Sequence, residues 1–320
     1  MYVIVNRRAR GLRSAGPLLG EQCRARATAT VIETRSLDEL DAAARRVAEA
    51  PAPVVLGGGD GSHGAGITAL ARAFSERPNG RRASLPPIAL APGGTVNTVA
   101  RGWGMRGDAV AYTRRLLASV EAGTAARTRR PTLRVEPEKI DGLMSVPRLG
   151  FIVGAGLVSR FFELYGERGA PGLVGAAGIT ARVFAGSFVG GALARRVLTP
   201  ASCTLLVDGV TADFDRISLL CASVVDDVGL GLRLLHRAGE SHERFHVVAT
   251  PLEPRALGPQ MTRVLRGLPL RGDPRNVDRL TAEIDLRFPA GTGAYVVDGE
   301  LVRGDRVVVR AGPVLEVLEP

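Results

Sequence analysis

Lysine is almost missing from this chain, in which 41 of the 42 basic side chains are arginine and only Lys139 is lysine. A P-loop kinase or ATPase carries a lysine at the end of its glycine loop. No glycine loop precedes Lys139. The sequence therefore excludes this large class of nucleotide-binding proteins.

Cysteine and aromatic residues are also scarce. The three cysteines, Cys23, Cys203 and Cys221, are too few and too scattered for a disulfide framework or a zinc ribbon, so we expect buried, reduced thiols. Aromatic residues make up 4% of the chain and no recognised nucleic-acid-binding module is present, which argues against a nucleic-acid partner.

Long hydrophobic runs are absent as well. The longest weakly polar stretch, Gly169–Ala194, contains Arg182 and seven glycines, so we predict no membrane-spanning helix there. The N-terminal apolar run Tyr2–Val5 is followed at once by Arg7 and Arg8, which is not the pattern of a signal peptide. We expect a cytoplasmic protein.

The 320 residues provide enough chain for about two domains. A net charge of +10 favours anionic partners, which include phosphates, nucleic acid and acidic membranes. The first 125 residues alternate short apolar runs with helical patterns. Among the predicted helices, one follows the capping box Ser36–Glu39, one opens over Val96–Arg101, and one is capped by Asp108. The predicted strands are Tyr2–Val5, Ala29–Glu33, Pro53–Leu56 and Pro87–Leu90. This alternation predicts a doubly wound α/β domain with a parallel sheet.

The composition changes at the basic stretch 125–131, which ends in proline. We place a domain boundary there, with an α/β domain over 1–128 and a β-rich, sandwich-like domain over 129–310. A helical insert over Val158–Leu198 interrupts the second domain. Its predicted strands are Thr132–Val135, Leu149–Val153, Thr204–Val207, Ile217–Val225, Phe245–Ala249, Leu280–Phe288, Ala294–Val297 and Arg306–Val309.

Two glycine-rich turns follow successive strands of the predicted parallel sheet. The first glycine turn is Gly57–Gly64 (GGGDGSHG), and the second glycine turn is Pro92–Asn97 (PGGTVN). Glycines allow close backbone approach, and their amides can bind phosphate at a helix N-terminus. Both turns are expected at the carboxyl edge of the sheet, where α/β proteins bind ligands. The pair therefore indicates phosphate binding more strongly than a plain tight turn.

The two turns resemble the signature of the diacylglycerol kinase catalytic family, which includes bacterial lipid kinases, sphingosine kinases and ceramide kinases. Gly58–Ser62 resembles the Gly-Gly-Asp-Gly-Thr motif, and Pro92–Arg101 resembles the following Pro-x-Gly-Thr-x-Asn-x-x-Ala-Arg segment. The opening Val5-Asn6 resembles the family's N-terminal asparagine motif, and Asp298-Gly299-Glu300 resembles its Asp-Gly-Glu.

The resemblance implies an ATP- and Mg²⁺-dependent lipid kinase that phosphorylates diacylglycerol or a sphingoid- or ceramide-type lipid. It implies that residues 311–320 return to complete the first domain. Asp298 would be the general base and Glu300 would support it, while Asp60 would hold the magnesium ion. The residues implied to bind the nucleotide are Asn6, Gly58, Gly59, Asp60, Gly61, Ser62, Gly94, Thr95 and Asn97.

Several alternatives remain open. Gly64-Ala65 stands where the family usually has an Asn-Glu pair, which motivates a catalytically silent nucleotide- or lipid-binding relative. An NAD kinase-like protein is a further candidate. Gly59, Gly61 and Gly64 also match the G-x-G-x-x-G pattern of an NAD(P)-dependent oxidoreductase. The purely structural interpretation of Asp298-Gly299 is a hairpin turn.

Histidines and partners complete the sequence-based expectations. His63 is expected either to contact the nucleotide or simply to begin a helix. His236, His242 and His246 suggest a metal site, but their spacing favours core or solvent-exposed histidines. We expect a lipid substrate, peripheral contact with the anionic inner face of a membrane, and either a monomer or a homodimer.

Overall fold

The computed structural model describes residues 1–24, 28–77, 84–137, 147–169 and 172–320. Lys139 lies outside the described residues. The chain divides into two compact units, Met1–Arg130 with Val314–Pro320 and Pro131–Pro313. The domain limits predicted above differ from these bounds by two or three residues.

The elements follow one another closely along both units. Those of the first unit up to residue 130 are β1 (Tyr2–Asn6), α1 (Leu12–Arg24), β2 (Thr30–Thr34), α2 (Leu37–Glu49), β3 (Val54–Gly58), α3 (Asp60–Ser75), β4 (Ile88–Pro92), α4 (Thr98–Gly102), α5 (Ala109–Glu121) and β5 (Ala126–Arg130). Those of the second unit are β6 (Leu133–Pro137), β7 (Arg148–Gly150), β8 (Ile152–Gly156), α6 (Leu157–Glu167), α7 (Gly172–Val189), α8 (Ala192–Leu198), β9 (Ala201–Ser202), β10 (Thr204–Val207), β11 (Val210–Thr211), β12 (Arg216–Ile217), β13 (Leu219–Ser223), β14 (Phe245–Thr250), α9 (Pro254–Leu257), a 3₁₀ helix (Gly258–Gln260), α10 (Met261–Leu265), β15 (Val277–Thr281), β16 (Glu283–Arg287), β17 (Ala294–Val297), β18 (Glu300–Arg303) and β19 (Arg306–Ala311). The last strand, β20 (Leu315–Glu319), belongs to the first unit.

A six-stranded sheet forms the centre of the first unit, with the order β2-β1-β3-β4-β20-β5. Its strands pair in parallel except for β5, which runs antiparallel to β20. The central strands β3 and β4 are apolar and buried along their whole length, as parallel strands usually are. The predicted α/β architecture with a parallel sheet is confirmed.

Helix starts in this unit agree well with the sequence signals, with one exception. Ser36 and Asp108 cap α2 and α5 as predicted, because each side chain accepts a hydrogen bond from an amide three residues ahead. The helix predicted over Val96–Arg101 begins only at Thr98. Asn97, which precedes it, has left-handed backbone angles (φ 56°, ψ 48°) that a helix cannot include.

The basic stretch around residue 128 is a strand, which the sequence did not indicate. Arg127 donates a hydrogen bond to Glu316 and Arg130 donates one to Glu319, and both acceptors lie on the paired strand β20. An edge strand tolerates charged side chains because one of its edges faces solvent. Cross-strand ion pairing therefore supports a strand whose composition is typical of a linker.

Two six-stranded antiparallel sheets dominate the second unit. Their orders are β11-β10-β16-β19-β6-β7 and β15-β14-β13-β8-β17-β18, and β12 and β9 form a small separate pair. Short antiparallel strands in several sheets agree with the prediction of a β-rich region in this part of the chain.

Three predicted strands are each split in two, because the chain is interrupted within the run. Leu149–Val153 is divided at Phe151 between β7 of one sheet and β8 of the other, and Leu280–Phe288 is divided at Ala282 between β15 and β16. Ile217–Val225 contains β12 and β13. A continuous apolar run carries no signal for the point at which the backbone leaves one sheet.

A layer of helices, α6 to α10 with the 3₁₀ helix, completes the second unit and includes the predicted insert. We call it the helical layer (residues 157–198 and 254–265). Its inner side chains, among them Leu164, Ile179, Val183 and Leu257, share one buried cluster with Cys221 and Val248 of the sheet. No single helix among the described residues is long and apolar enough to cross a membrane; only α7 from Val174 onward taken together with α8, bent by 102°, meets that test.

Candidate functional site

The two glycine turns lie side by side at the carboxyl edge of the parallel sheet. Gly58 pairs with Pro92 in the register of β3 and β4, and the amide of Gly93 donates to the carbonyl of Gly58 at 2.6 Å. A Cβ on Gly94 would lie 2.5 Å from the Cα of Gly59. Glycine is thus required here partly because two backbones approach each other closely. The sequence alone does not distinguish this requirement from phosphate binding.

The loop after β1 is fixed to the same edge. The amide of Gly11 donates to the carbonyl of Gly93 at 3.0 Å, and a Cβ on Gly11 would lie 2.8 Å from that oxygen. The Asn6 amide group donates to the hydroxyl of Ser62 at 2.8 Å. Three loops that are distant in sequence therefore form one rigid edge, and Asn6 is connected directly to the first turn of α3.

Asp60 connects the two glycine turns. Its carboxylate oxygens accept the amides of Thr98 at 2.8 Å and Val99 at 3.0 Å, so this side chain caps α4 from the neighbouring loop. Asn97 does not cap the helix that it precedes. Its side chain exchanges two hydrogen bonds with the backbone of Gly94 instead, and this closes the second glycine turn.

The loops at this edge offer a magnesium ion one carboxylate, that of Asp60. Asp60 is the only carboxylate in the segments 6–12, 58–64 and 92–98, and both of its oxygens accept backbone amides. Mg²⁺ usually takes one or two carboxylates, several waters and the phosphates of its substrate. Asp60 as a metal ligand therefore stays a prediction, and the geometry assigns it a positioning role.

His63 lies in the first turn of α3 and is completely buried. Its Nε2–H donates to the carbonyl of Ala91 at 3.3 Å. Burial lowers the pKa of His63 below its ordinary value, although the charge of Asp60 and the carbonyls of Ala91 and Leu56 oppose this shift. A neutral, buried imidazole fits a packing role under the two turns, which favours the second of the two expectations for this residue.

A cleft of about 620 Å³ opens beside the second glycine turn within the first unit. This volume is within the range of small-molecule sites. Two exposed arginines, Arg101 and Arg106, provide positive charge on its wall. The lining residues are Gly11, Ala15, Pro92, Gly94, Asn97, Arg101, Met105, Arg106, Gly107, Asp108 and Ala109. Thr95 is exposed on the adjoining turn, and the uncapped start of the 16-residue helix α3 directs its first amides to the same edge.

Asp298 and Glu300 lie in the second unit, on the hairpin between β17 and β18. Asp298 (φ 48°) and Gly299 (φ 86°) both have the positive φ of a type I′ turn, so the predicted hairpin turn is present. The Asp298 Oδ1 accepts the amides of Phe151 at 3.0 Å and Ile152 at 2.9 Å. Glu300 is exposed and forms an ion pair with Arg148 at 2.8 Å.

A second Asp-Gly hairpin in the same unit has the same construction and was not predicted. Asp208 (φ 50°) and Gly209 (φ 79°) join β10 to β11. The Asp208 Oδ1 accepts the amides of Ala282 at 3.0 Å and Glu283 at 3.1 Å, where the chain passes from β15 to β16. Asp298 does the same where the chain passes from β7 to β8. Each aspartate thus caps a sheet-to-sheet crossing, and this structural role is independent of any chemistry.

Two of the three histidines weighed as metal ligands come together with an aspartate. The rings of His236 and His246 meet edge to face at 4.9 Å, and Asp278 lies beside both. The buried His246 accepts the Arg237 amide at Nδ1 (3.3 Å), so its Nε2 carries the proton that is donated to Asp278 at 2.8 Å. In this tautomer both ring nitrogens of His246 take part in hydrogen bonds. His242 is exposed and apart from it.

Comparison with known proteins supports the resemblance of the first unit to the diacylglycerol kinase catalytic family. Residues 1–125 match the diacylglycerol kinase catalytic domain. A crystal structure of a diacylglycerol kinase from Bacillus anthracis str. Sterne is similar over 100% of this chain and 96% of its own, with a TM-score of 0.59 and 13% identity. Yeast NADH kinase complexed with NADH is similar over 100% of this chain and 83% of its own, with a TM-score of 0.55 and 13% identity. No curated protein sequence matches the chain.

Proposed function

We propose, from the match of residues 1–125 to the diacylglycerol kinase catalytic domain, that the protein transfers the γ-phosphoryl group of ATP to the hydroxyl group of a lipid. The observation that carries the proposal is the rigid edge formed by three loops beside a cleft of about 620 Å³. Phosphoryl transfer depends mainly on positioning and on charge neutralisation, and a rigid, amide-rich edge offers both.

The phosphates of ATP would be bound by backbone amides of Gly58–Ser62 and by Gly94 and Thr95. Asn6 would act through Ser62, whose hydroxyl it contacts at 2.8 Å. Arg101 and Arg106 line the cleft and supply the positive charge that a P-loop lysine supplies in other kinases. Asp60 and Asn97 would keep the second glycine turn in the conformation that presents these amides.

Asp298 would accept the proton of the lipid hydroxyl. Two amide hydrogen bonds to Oδ1 fix the orientation of its carboxylate, and a positioned carboxylate can act as a general base. Glu300 would act indirectly, because its ion pair with Arg148 connects the end of the hairpin to β7. The lipid would be diacylglycerol or a sphingoid- or ceramide-type lipid, reached at the inner face of a membrane.

A transfer assay tests the proposal. The purified protein is incubated with γ-labelled ATP, Mg²⁺ and separate acceptors: diacylglycerol, sphingosine, ceramide and NADH. Label in one of the lipids is expected. Bound ATP without transfer to any acceptor would refute the lipid kinase and identify the silent relative that Gly64-Ala65 suggests.

NADH is included because of one specific observation, the similarity to yeast NADH kinase over the whole chain. A kinase of that type would place the label on the dinucleotide and leave all three lipids unlabelled. The same reaction mixture therefore separates the two candidate kinases.

A further inference from the structure

The outward face of α7 is apolar from one end to the other. Eight exposed positions follow the helical repeat along it: Val174, Ala177, Gly178, Ala181, Arg182, Ala185, Phe188 and Val189. We call them the outer stripe. Val174 is 86% exposed, Phe188 54% and Val189 79%. A surface helix normally presents charged and polar side chains to water, but here Arg182 is the only one.

The opposite face of α7 is used by the protein itself. Ile179 and Val183 are buried in the core of the second unit, and Ser187 packs so closely on Gly258 that a Cβ there would lie 2.0 Å from its hydroxyl oxygen. The helix therefore lies flat on its own domain, and only the outer stripe is available to a partner.

Outside α6, which carries Glu163 and Glu167, the charge of the helical layer and its flanks has one sign. The segments 168–207 and 254–272 contain eight arginines and no acidic residue in 59 positions, although acidic residues occupy one position in ten of the whole chain. These arginines are Arg168, Arg182, Arg195, Arg196, Arg255, Arg263, Arg266 and Arg271. Helix α9, which carries Arg255, packs against α7. Arg196 forms an ion pair with Glu167 of α6, and the other arginines leave an excess of positive charge on the helices beside this apolar face.

Exposed apolar side chains are concentrated in the same part of the molecule. Eight large hydrophobic side chains are exposed among the described residues, and five of them lie on α7 or at α10 and its C-terminal end. The two near α10 are Leu265, 51% exposed, and Leu268, 41% exposed. The three on α7 lie on one helix face, and an apolar face bordered by charges marks an interaction surface rather than scattered exposure.

We propose that the outer stripe of α7 docks on the surface of a bilayer that contains anionic phospholipids, with Val174, Phe188 and Val189 among the acyl chains and the arginines at the headgroups. The sign of the charge selects this occupant. In a symmetric contact with a second copy, arginines would face arginines, whereas phosphate headgroups neutralise them. The inference deepens the proposed function, on which its purpose rests, because a lipid kinase must reach its substrate.

Sedimentation with vesicles tests the docking without ATP. Vesicles of 70% phosphatidylcholine and 30% phosphatidylglycerol are compared with vesicles of phosphatidylcholine alone. The full chain is expected to bind the anionic vesicles at least tenfold more strongly. Val189→Asp should weaken that binding at least tenfold. Val210→Asp is the matched control, since Val210 is 65% exposed on β11 and should change nothing. Arg182→Ser should weaken binding about fivefold.

A fluorescence measurement locates the contact. The one tryptophan, Trp103, is buried and its emission should stay constant, whereas a Phe188→Trp variant should shift to shorter wavelength on addition of anionic vesicles. Equal binding of Val189→Asp and Val210→Asp, or no shift at position 188, would overturn the proposal. So would a dimer in light scattering that Val189→Asp dissociates.

Failure of docking and failure of the kinase proposal are distinguishable. Docking is read from vesicle binding alone, and transfer is read with a short-chain diacylglycerol dissolved in detergent. Transfer without vesicle binding would overturn the docking and retain the kinase. Vesicle binding without transfer would retain the docking and refute the kinase.

Discussion

Asp60→Asn separates a structural carboxylate from a metal ligand. In the structure one carboxylate accepts two amides, from Thr98 and Val99, at 2.8 and 3.0 Å. Asparagine keeps one acceptor oxygen and turns an NH₂ group toward the other amide, so one donor loses its partner and the remaining bond loses its charge. Each effect costs about 1–3 kcal/mol, reduced here because Asp60 is only half-buried.

We therefore expect Asp60→Asn to lower the free energy of unfolding of the first unit by about 2 kcal/mol, measured by urea denaturation without nucleotide or magnesium. Asp108→Asn is the matched control. Asp108 caps α5 through a single amide, that of Ala111 at 2.8 Å, and asparagine serves as well as aspartate at such an N-cap. Its effect should be a few tenths of a kcal/mol, since one acceptor oxygen is enough there.

An Asp60→Asn variant that is as stable as the control and loses only magnesium-dependent activity would contradict this expectation. That outcome would show that the carboxylate holds the ion and that its contacts with α4 contribute little. A loss of stability in the absence of any ligand would show that Asp60 positions the second glycine turn.

Three further outcomes follow from the same geometry. Gly94→Ala should destabilise the first unit by about 1–3 kcal/mol, because its Cβ meets the backbone of Gly59. Gly166→Ala, in helix α6 with nothing within 4 Å, should leave thermal unfolding unchanged or slightly raise its midpoint, and equal losses for the two variants would contradict the close approach. Burial lowers the folded-state pKa of His63 below the unfolded value, so the unfolded chain binds more protons below about pH 6.5 and stability is lost as the pH falls through that range. His63→Gln keeps a donor for the carbonyl of Ala91 and should reduce the pH dependence of the urea midpoint between pH 5 and 7.5. An unchanged pH dependence would contradict the assignment. Burial raises the pKa of Cys203 and of Cys221 to about 12, so neither thiol should react with Ellman's reagent at pH 8 until the protein is unfolded; prompt reaction of the native protein would contradict their burial.

Local signals in the sequence were sufficient for strands β1 to β4 of the first unit. Short apolar runs separated by caps at Ser36 and Asp108 predicted the parallel strands and most of the helix starts, because such signals act over three or four residues. The two glycine turns could be located at one edge for the same reason. Their direct contact could not, since the distance between Gly59 and Gly94 depends on the register of β3 and β4.

The features that were missed depend on contacts between distant segments. Strand β5 is recognisable only through its partner β20, nearly 190 residues away, and Asp278 joins His246 only through the pairing of β14 with β15. The second Asp-Gly hairpin has the same two-residue signal as the first. Its role at Ala282 became visible only once the path of the chain between the sheets was known.

The pair of hairpins also allows a test of whether Asp298 acts as the base of a lipid kinase. Asp298→Asn and Asp208→Asn each remove a carboxylate that accepts two backbone amides from an Asp-Gly turn. Asp208 also accepts the hydroxyl of Thr281 at 2.7 Å, so Asp208→Asn should cost at least as much stability as Asp298→Asn. The measurement is label transfer from γ-labelled ATP to the accepted lipid, with circular dichroism to confirm folding. We predict that Asp298→Asn lowers the rate by about 100-fold or more and that Asp208→Asn changes it by less than about threefold. Equal rates for the two variants would contradict the account.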